Sequence, residues 1–255
     1  ARQDKRNAAL LEEMGQPEPN FSSRKEKKSR WNSNQCQGLF DFKPTKWQKE
    51  FLEVIENHKI SATDSVAGCG KSATALYYAC REYLTDPTKK IVYVRTPVEA
   101  GMDQIGSLPG HATLDEKLGP HFESAQLLIE QFIGKEKFRA DLGSRIQFVI
   151  PGFSLGHTRE NCTYILEECQ QLQPLILKLL LERIGENTKT IILGSSGQLY
   201  IDAKGRNALR DFKKRFFNED MSKKYKDSGF YKFPVEAIMR DRLVMDVVRA
   251  YEDEN

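Results

Sequence analysis

Residues 65–72 read Ser-Val-Ala-Gly-Cys-Gly-Lys-Ser, and these residue types suit one kind of chemistry, the holding of a phosphate chain. A glycine-containing turn that opens a helix aims successive backbone N–H groups at an anion, and the helix dipole adds positive charge. In such a loop a Lys ammonium reaches the β- and γ-phosphates and the next hydroxyl ligates Mg2+. Lys71 and Ser72 stand in those two places, after a turn made of Val66, Ala67, Gly68, Cys69 and Gly70. The full pattern G-x-x-x-x-G-K-[ST] asks for Gly first, and this chain has Ser65 there. A Cβ restricts that position, although a small side chain is tolerated where φ is negative. Cys69 sits where the helix dipole can lower a thiol pKa; a small space-filling residue is the plainer reading.

A second constellation is Tyr164-Ile165-Leu166-Glu167-Glu168-Cys169-Gln170. An apolar strand ending in two acids delivers them to the carboxyl edge of a sheet, where α/β proteins bind ligands. In a nucleoside triphosphatase the first acid, here Glu167, holds Mg2+, and the second, Glu168, orients or deprotonates the attacking water. A third is Ile191-Ile192-Leu193-Gly194-Ser195-Ser196-Gly197-Gln198, a strand running into small residues with one amide. Gln198 there suits sensing a γ-phosphate or positioning water, and a polar turn is the alternative.

These residues need elements to position them. Trp47, Phe51, Val54 and Ile55 recur at helical spacing, which predicts a helix over Lys46 to Asn57. A polar first strand follows at Ile60 to Val66, then the loop and a helix from Ala73 to Leu84. Ile91–Val94 reads as a buried strand, and Gly101 to Gly110 as loop. A helix is expected over His121 to Phe138, with strands at Ile146–Ile150, Thr163–Leu166 and Thr190–Leu193. Pro174 suits the first turn of a helix reaching Ile184. Ala208 to Phe217 reads as a basic helix, Phe230–Phe233 as an edge strand and Arg240–Tyr251 as the last helix. Strands alternating with helices predict an α/β fold with a mostly parallel, doubly wound sheet.

Length and composition agree with a soluble α/β domain: 255 residues, 39% hydrophobic and 29% charged. The net charge of +3 does not by itself argue for nucleic-acid binding. No apolar run reaches membrane-spanning length, and the start lacks the pattern of a leader. The first residue is Ala1, which reads as processing or truncation. Five cysteines without a CxxC pair suit reduced thiols and a cytoplasmic location. Residues 1–44 lack apolar periodicity and read as a flexible arm before a domain over 45–255. Within that arm, Arg24 to Trp31 is basic and ends in an aromatic, suited either to nucleic-acid contact or to plain solvation.

Taken together the segments resemble the PhoH-like family of phosphate-starvation proteins, its phage-encoded branch in particular, from about Lys43 to Glu252. The resemblance implies a RecA-like P-loop NTPase that uses ATP and Mg2+. It makes Gln48, in Thr45-Lys46-Trp47-Gln48, the base-reading residue, and Val66 to Ser72 the phosphate loop. Arg95-Thr96-Pro97-Val98-Glu99-Ala100-Gly101 with Gly106 to Gly110 is similar to the family's most distinctive stretch. Leu166 to Gln170 corresponds to its Asp-Glu-Ala/Cys-Gln, and Gly194 with Gln198 to its Gly-Asp-x-x-Gln. Ile238-Met239-Arg240 matches its terminal segment, with Arg240 approaching the γ-phosphate.

Several positions depart from that pattern. Glu167 replaces an Asp and carries its carboxylate one methylene further out, which Mg2+ accepts through an intervening water. Ser195 replaces an Asp, so a carboxylate is missing at that strand end. An Arg is lost at Leu155, ahead of Gly156-His157-Thr158, and Ser107 stands for an aromatic. Two functional readings stay open. One is a Mg2+-dependent ATP-binding protein and ATPase coupled to RNA or single-stranded nucleic acid, with Glu168, Lys71, Gln198 and Arg240 in catalysis and Ser72 and Glu167 on the metal. The other is a hydrolysis-deficient nucleotide- and nucleic-acid-binding protein that works through its basic segments, Arg210 to Arg215 among them. A homo-oligomeric ring is compatible with either.

Overall fold

The structure, a computed structural model, describes residues 37–96, 114–198 and 207–252. Helices α1 (Gln37–Asp41) and α2 (Lys46–Asn57) precede strand β1 (Ile60–Asp64). Helix α3 (Lys71–Thr85) leads into β2 (Lys90–Arg95), and α4 (Leu114–Ile133) with α5 (Lys135–Asp141) into β3 (Ile146–Val149). A short α6 (Pro151–Ser154) comes before β4 (Cys162–Glu167), and α7 (Pro174–Leu181) before β5 (Lys189–Gly194). Helix α8 (Ala208–Phe216), strand β6 (Ser228–Tyr231) and α9 (Arg242–Glu252) follow.

The strands lie in the order β3-β2-β4-β5-β1-β6 and every pairing is parallel. Parallel neighbours need crossovers, so all strand carboxyl ends open on one edge. Strand β5 separates β1 from β4, with Asp64 paired to Gly194, while Arg95 at the end of β2 pairs with Glu167. That order puts the loop after β1, the turn after β5 and the two acids after β4 side by side. The α/β, doubly wound expectation holds.

Burial on both faces holds the sheet in place. One face of the sheet, with Val92, Tyr164, Leu166 and Ile192, packs against Leu177 and Leu180 of α7 and Leu209 and Phe212 of α8. The alternate residues Ile91, Tyr93, Ile165 and Ile191 are buried as well, and α3 contacts β2, β4 and β5. Each such large side chain contributes about 1.5–3 kcal/mol on burial. The polar residues of β1 are all bonded: Ser61 Oγ donates to Val54 O (3.1 Å), Thr63 Oγ1 meets Ser65 Oγ (2.8 Å), and Asp64 accepts from Ser196.

Where elements differ from expectation the cause is local. The helix expected over His121 to Phe138 is two helices, divided at Gly134 with φ 87°. Helix α7 stops three residues before Ile184, which is drawn instead into a bridge with Arg159. Strand β6 begins two residues earlier than expected and ends at Tyr231, because the Phe233 N–H is given to Ser65 Oγ and not to a neighbouring strand. Helix α9 starts at Arg242, after Asp241, whose Oδ1 accepts the Leu243 N–H. Helix α1 falls in the stretch expected as arm; Leu39 is buried, and Phe42 packs on Tyr77 and Phe132. The Arg24–Trp31 cluster and the Pro97–Gly110 stretch lie outside the described residues.

Candidate functional site: a phosphate-binding loop beside an acidic strand end

The loop is built around two glycines in the left-handed region, Gly68 at φ 82° and Gly70 at φ 81°. Only glycine takes this conformation without strain, and an added Cβ would also press on neighbouring side chains. A Cβ on Gly70 would lie 2.3 Å from Gln48 Nε2, and one on Gly68 would lie 3.2 Å from Arg240 Cγ. Gly70 caps helix α3, its carbonyl accepting from the Thr74 N–H (2.9 Å) and Thr74 Oγ1 (2.8 Å). Lys71 Nζ reaches back over the loop to Val66 O (3.1 Å). The result is a turn of closely spaced backbone groups at the start of a long helix, with an ammonium group above it.

Ser65 accounts for itself. It is not among the positive-φ residues, so its Cβ causes no strain. Its hydroxyl accepts the Phe233 N–H at 2.8 Å, and its N–H donates to Gly194 O at 3.1 Å. The side chain therefore ties the C-terminal segment to the loop. Cys69 is buried and its thiol donates to Val66 O; burial pushes its pKa up, outweighing the neighbouring Lys71 charge. This suits the plainer of the two readings of Cys69, a small residue filling space under the loop, because desolvation disfavours a thiolate.

Gln48 and Arg240 both come to the loop. Gln48 is buried beneath Gly70, its Oε1 accepting the Thr45 N–H in a capping box and its Nε2 facing Met239 Sδ at 3.7 Å. The Met239 N–H donates to Gly68 O (3.1 Å), which lays the stem of the exposed Arg240 along the glycine.

The acidic strand end meets the loop directly. Ser72 Oγ donates to one oxygen of Glu167, and the Tyr93 hydroxyl donates to the other. Glu167 is buried, while Tyr93 is held far above the ordinary phenol range by burial and then by the Glu167 charge, so it stays a donor. Glu168 takes the left-handed conformation at φ 58°, uncommon for a residue with a side chain and a small reservoir of strain. Its carboxylate accepts from Gln170 Nε2 (2.6 Å) and faces Arg95 Nη2 at 4.0 Å. Gln170, fully buried, also accepts the Ser195 N–H through Oε1 (3.1 Å), linking the turn after β5 to Glu168. Gln198 is exposed in that turn; its carbonyl accepts from Gln171, and its side chain has no hydrogen bond among the described residues.

Asp64 and Tyr93 escape a reading of the sequence. Asp64 reaches across from β1, accepting from the Ser196 N–H (2.7 Å), Ser196 Oγ (2.8 Å) and Lys213 Nζ (3.2 Å). A carboxylate thus stands at the end of β5 although Ser195 replaces the expected Asp. An acid closing the strand before a phosphate loop is a signal that could have pointed to it. Tyr93 gives no such signal, since an aromatic inside an apolar strand reads as core.

Among the described residues no group of three or more His, Cys, Asp or Glu gathers around one point. Ser72 and Glu167 nevertheless suit Mg2+, which takes few protein ligands and completes its octahedron from phosphate oxygens and water. Among the described residues no helix is long and apolar enough to cross a membrane.

The family model for PhoH-like proteins matches residues 43–252, most of the chain. The chain belongs to the PhoH-like family. A PhoH-like protein of Synechocystis is 27% identical over 207 residues, which cover 80% of this chain and 60% of that relative. The Escherichia coli protein PhoH is 26% identical over 208 residues, 80% of this chain and 56% of its own length. A Bacillus subtilis PhoH-like protein is 26% identical over 212 residues, covering 83% and 64%. The chain thus spans about three-fifths of the length of these curated relatives. With a PhoH-like match across the whole sheet, the fold is of the RecA-like P-loop type, and membership supports nucleotide binding.

Proposed function

We propose that this PhoH-like protein binds ATP with Mg2+ at the 65–72 loop and hydrolyses it. The observation that carries this reading is the contact of Ser72 with Glu167, which joins the phosphate loop to the acid pair. The loop's backbone N–H groups and the α3 dipole take the phosphates, and Lys71 moves from Val66 O to the β- and γ-oxygens. Ser72 and Glu167 would hold Mg2+, which when bound would supply positive charge against the phosphates. Glu168, with its second oxygen free of Gln170, receives the proton of the attacking water. Gln198 and Arg240 answer the γ-phosphate and Gln48 lies on the base side. Arg240 acts within its own chain, a role favoured by its packing on Gly68.

The proposal extends to RNA or single-stranded nucleic acid as partner. Exposed Lys214, Lys223 and Lys224 gather at the end of α8, where Lys224 Nζ donates to Lys214 O (2.9 Å). Tyr225 packs on Phe216 at 5.3 Å between centroids yet stays 59% exposed, leaving a face for a base. Cations beside an accessible ring suit a phosphate backbone with stacked bases.

The test is Mg2+-dependent ATP turnover by the parent and Lys71→Ala, each with and without RNA. The expected result is turnover by the parent, raised by RNA in low salt, and loss of both binding and turnover in Lys71→Ala. A Lys71→Ala protein that binds and hydrolyses as the parent does overturns the assignment. A parent that binds ATP without turning it over returns the protein to the hydrolysis-deficient reading.

A further inference from the structure

We propose that Tyr93 is the positioning residue for Glu167: its hydroxyl fixes the longer carboxylate of a glutamate for divalent-cation binding, a task that an aspartate would not require. The inference rests on Ser72 and Glu167 as the metal-holding pair.

Tyr93 is 2% exposed in the middle of β2. Its ring packs edge-on in a three-ring cluster with Phe122 (6.3 Å between centroids) and Phe148 (5.8 Å), which are themselves 5.5 Å apart, so its neighbours are side chains and not water. The hydroxyl, its one polar side-chain atom, is directed at Glu167 Oε2. Strand register explains how: Arg95 pairs with Glu167, and Tyr93 lies two residues earlier, on the same side of β2. A residue set back from the edge by two positions meets an acid only if one of them is long, and here both are.

The charge balance points the same way. Glu167 is 8% exposed, yet it forms no ion pair among the described residues; Arg95 faces Glu168 instead. Two neutral hydroxyls, from Ser72 and Tyr93, are its recorded partners. A buried carboxylate without a cation is costly, and a divalent cation at Ser72 supplies the missing charge. Two donors from different elements also hold both oxygens, which removes the freedom that the added methylene brings. Shortening the side chain to aspartate retracts the carboxylate by about 1.5 Å, one carbon–carbon bond, and it can no longer reach both hydroxyls.

A mutant cycle tests this, with Tyr93→Phe, Glu167→Asp and the double variant. The readout is the Mg2+ concentration at half-maximal binding of a fluorescent ATP analogue. Phe preserves the ring packing and removes only the hydroxyl. A hydrogen bond to a charged group is strong enough that Tyr93→Phe should raise the midpoint about ten-fold or more. In the Glu167→Asp background the same change should shift it by less than about two-fold, since the contact is already gone. A midpoint unmoved by Tyr93→Phe, or an equal shift in both backgrounds, overturns the proposal. Should the parent bind no ATP analogue, the functional reading fails separately. Mn2+ alone then decides the present inference: it stands if Mn2+ raises the melting temperature of the parent more than that of Tyr93→Phe, and falls otherwise.

Discussion

Restoring glycine at position 65 is the change that a motif comparison recommends, and the structure predicts that it does harm. Ser65 Oγ accepts the buried Phe233 N–H at 2.8 Å and meets Thr63 Oγ1 at 2.8 Å. Ser65→Ala removes the acceptor and leaves a buried donor unpaired, at a cost of about 1–3 kcal/mol. Ser65→Gly loses the same bond and adds about 0.5–1 kcal/mol of backbone entropy. A domain of this size loses about 2–4 °C of melting temperature per kcal/mol, so both variants should melt several degrees lower. The consequence reaches the site, because Phe233 leads to Met239, whose N–H holds Gly68 O. Urea unfolding of parent, Ala and Gly variants measures the stability, and titration with an ATP analogue measures the site. The expected outcome is parent, then Ala, then Gly in both stability and affinity. A Ser65→Gly protein that is as stable as the parent and turns over ATP faster would refute the reasoning and make Ser65 a defect.

Arg145 donates to the carbonyls of Tyr83, Asp86 and Lys89 and to Asp141, and stacks 4.0 Å over the Tyr83 ring, closing the turn between α3 and β2. Arg145→Ala should cost about 2–4 kcal/mol in urea unfolding, and a change within about 0.5 kcal/mol would show that water replaces it. His121 is held below the ordinary imidazole range by burial and then by Arg95. The unfolded chain takes up a proton near pH 6.5 that the folded chain resists, so stability should fall as pH drops below that value. His121 is only part-buried, so the effect is small; comparing melting at pH 7.5 and 5.5 in parent and His121→Asn reads it as a flatter slope in the variant.

Much of the fold was legible because each element carries its own local signal. Trp47, Phe51 and Ile55 mark one face of α2, and the observed helix has the expected limits, Lys46–Asn57. The apolar runs in β2, β4 and β5 are short and bounded, as fully buried parallel strands are. The candidate phosphate loop is legible because the chemistry proposed for it uses consecutive residues: glycines for the turn, then Lys71 and Ser72. Glu167 and Glu168 were legible for the same reason, as acids where an apolar strand stops.

What the sequence determined by itself was the chemistry available: a loop able to cradle phosphates, two acids and two basic segments. Which of these meet was decided by the sheet order, since inserting β5 between β1 and β4 aligns three separate strand ends. Tertiary structure also decided the meaning of the departures. Ser65 became a tie to Phe233, Asp64 of β1 brought a carboxylate to Ser196 in the turn after β5, and Glu167 found a second donor in Tyr93. The physical reason is that a hydrogen bond depends on distance and direction between residues far apart in the chain, and no local pattern of residue types records either.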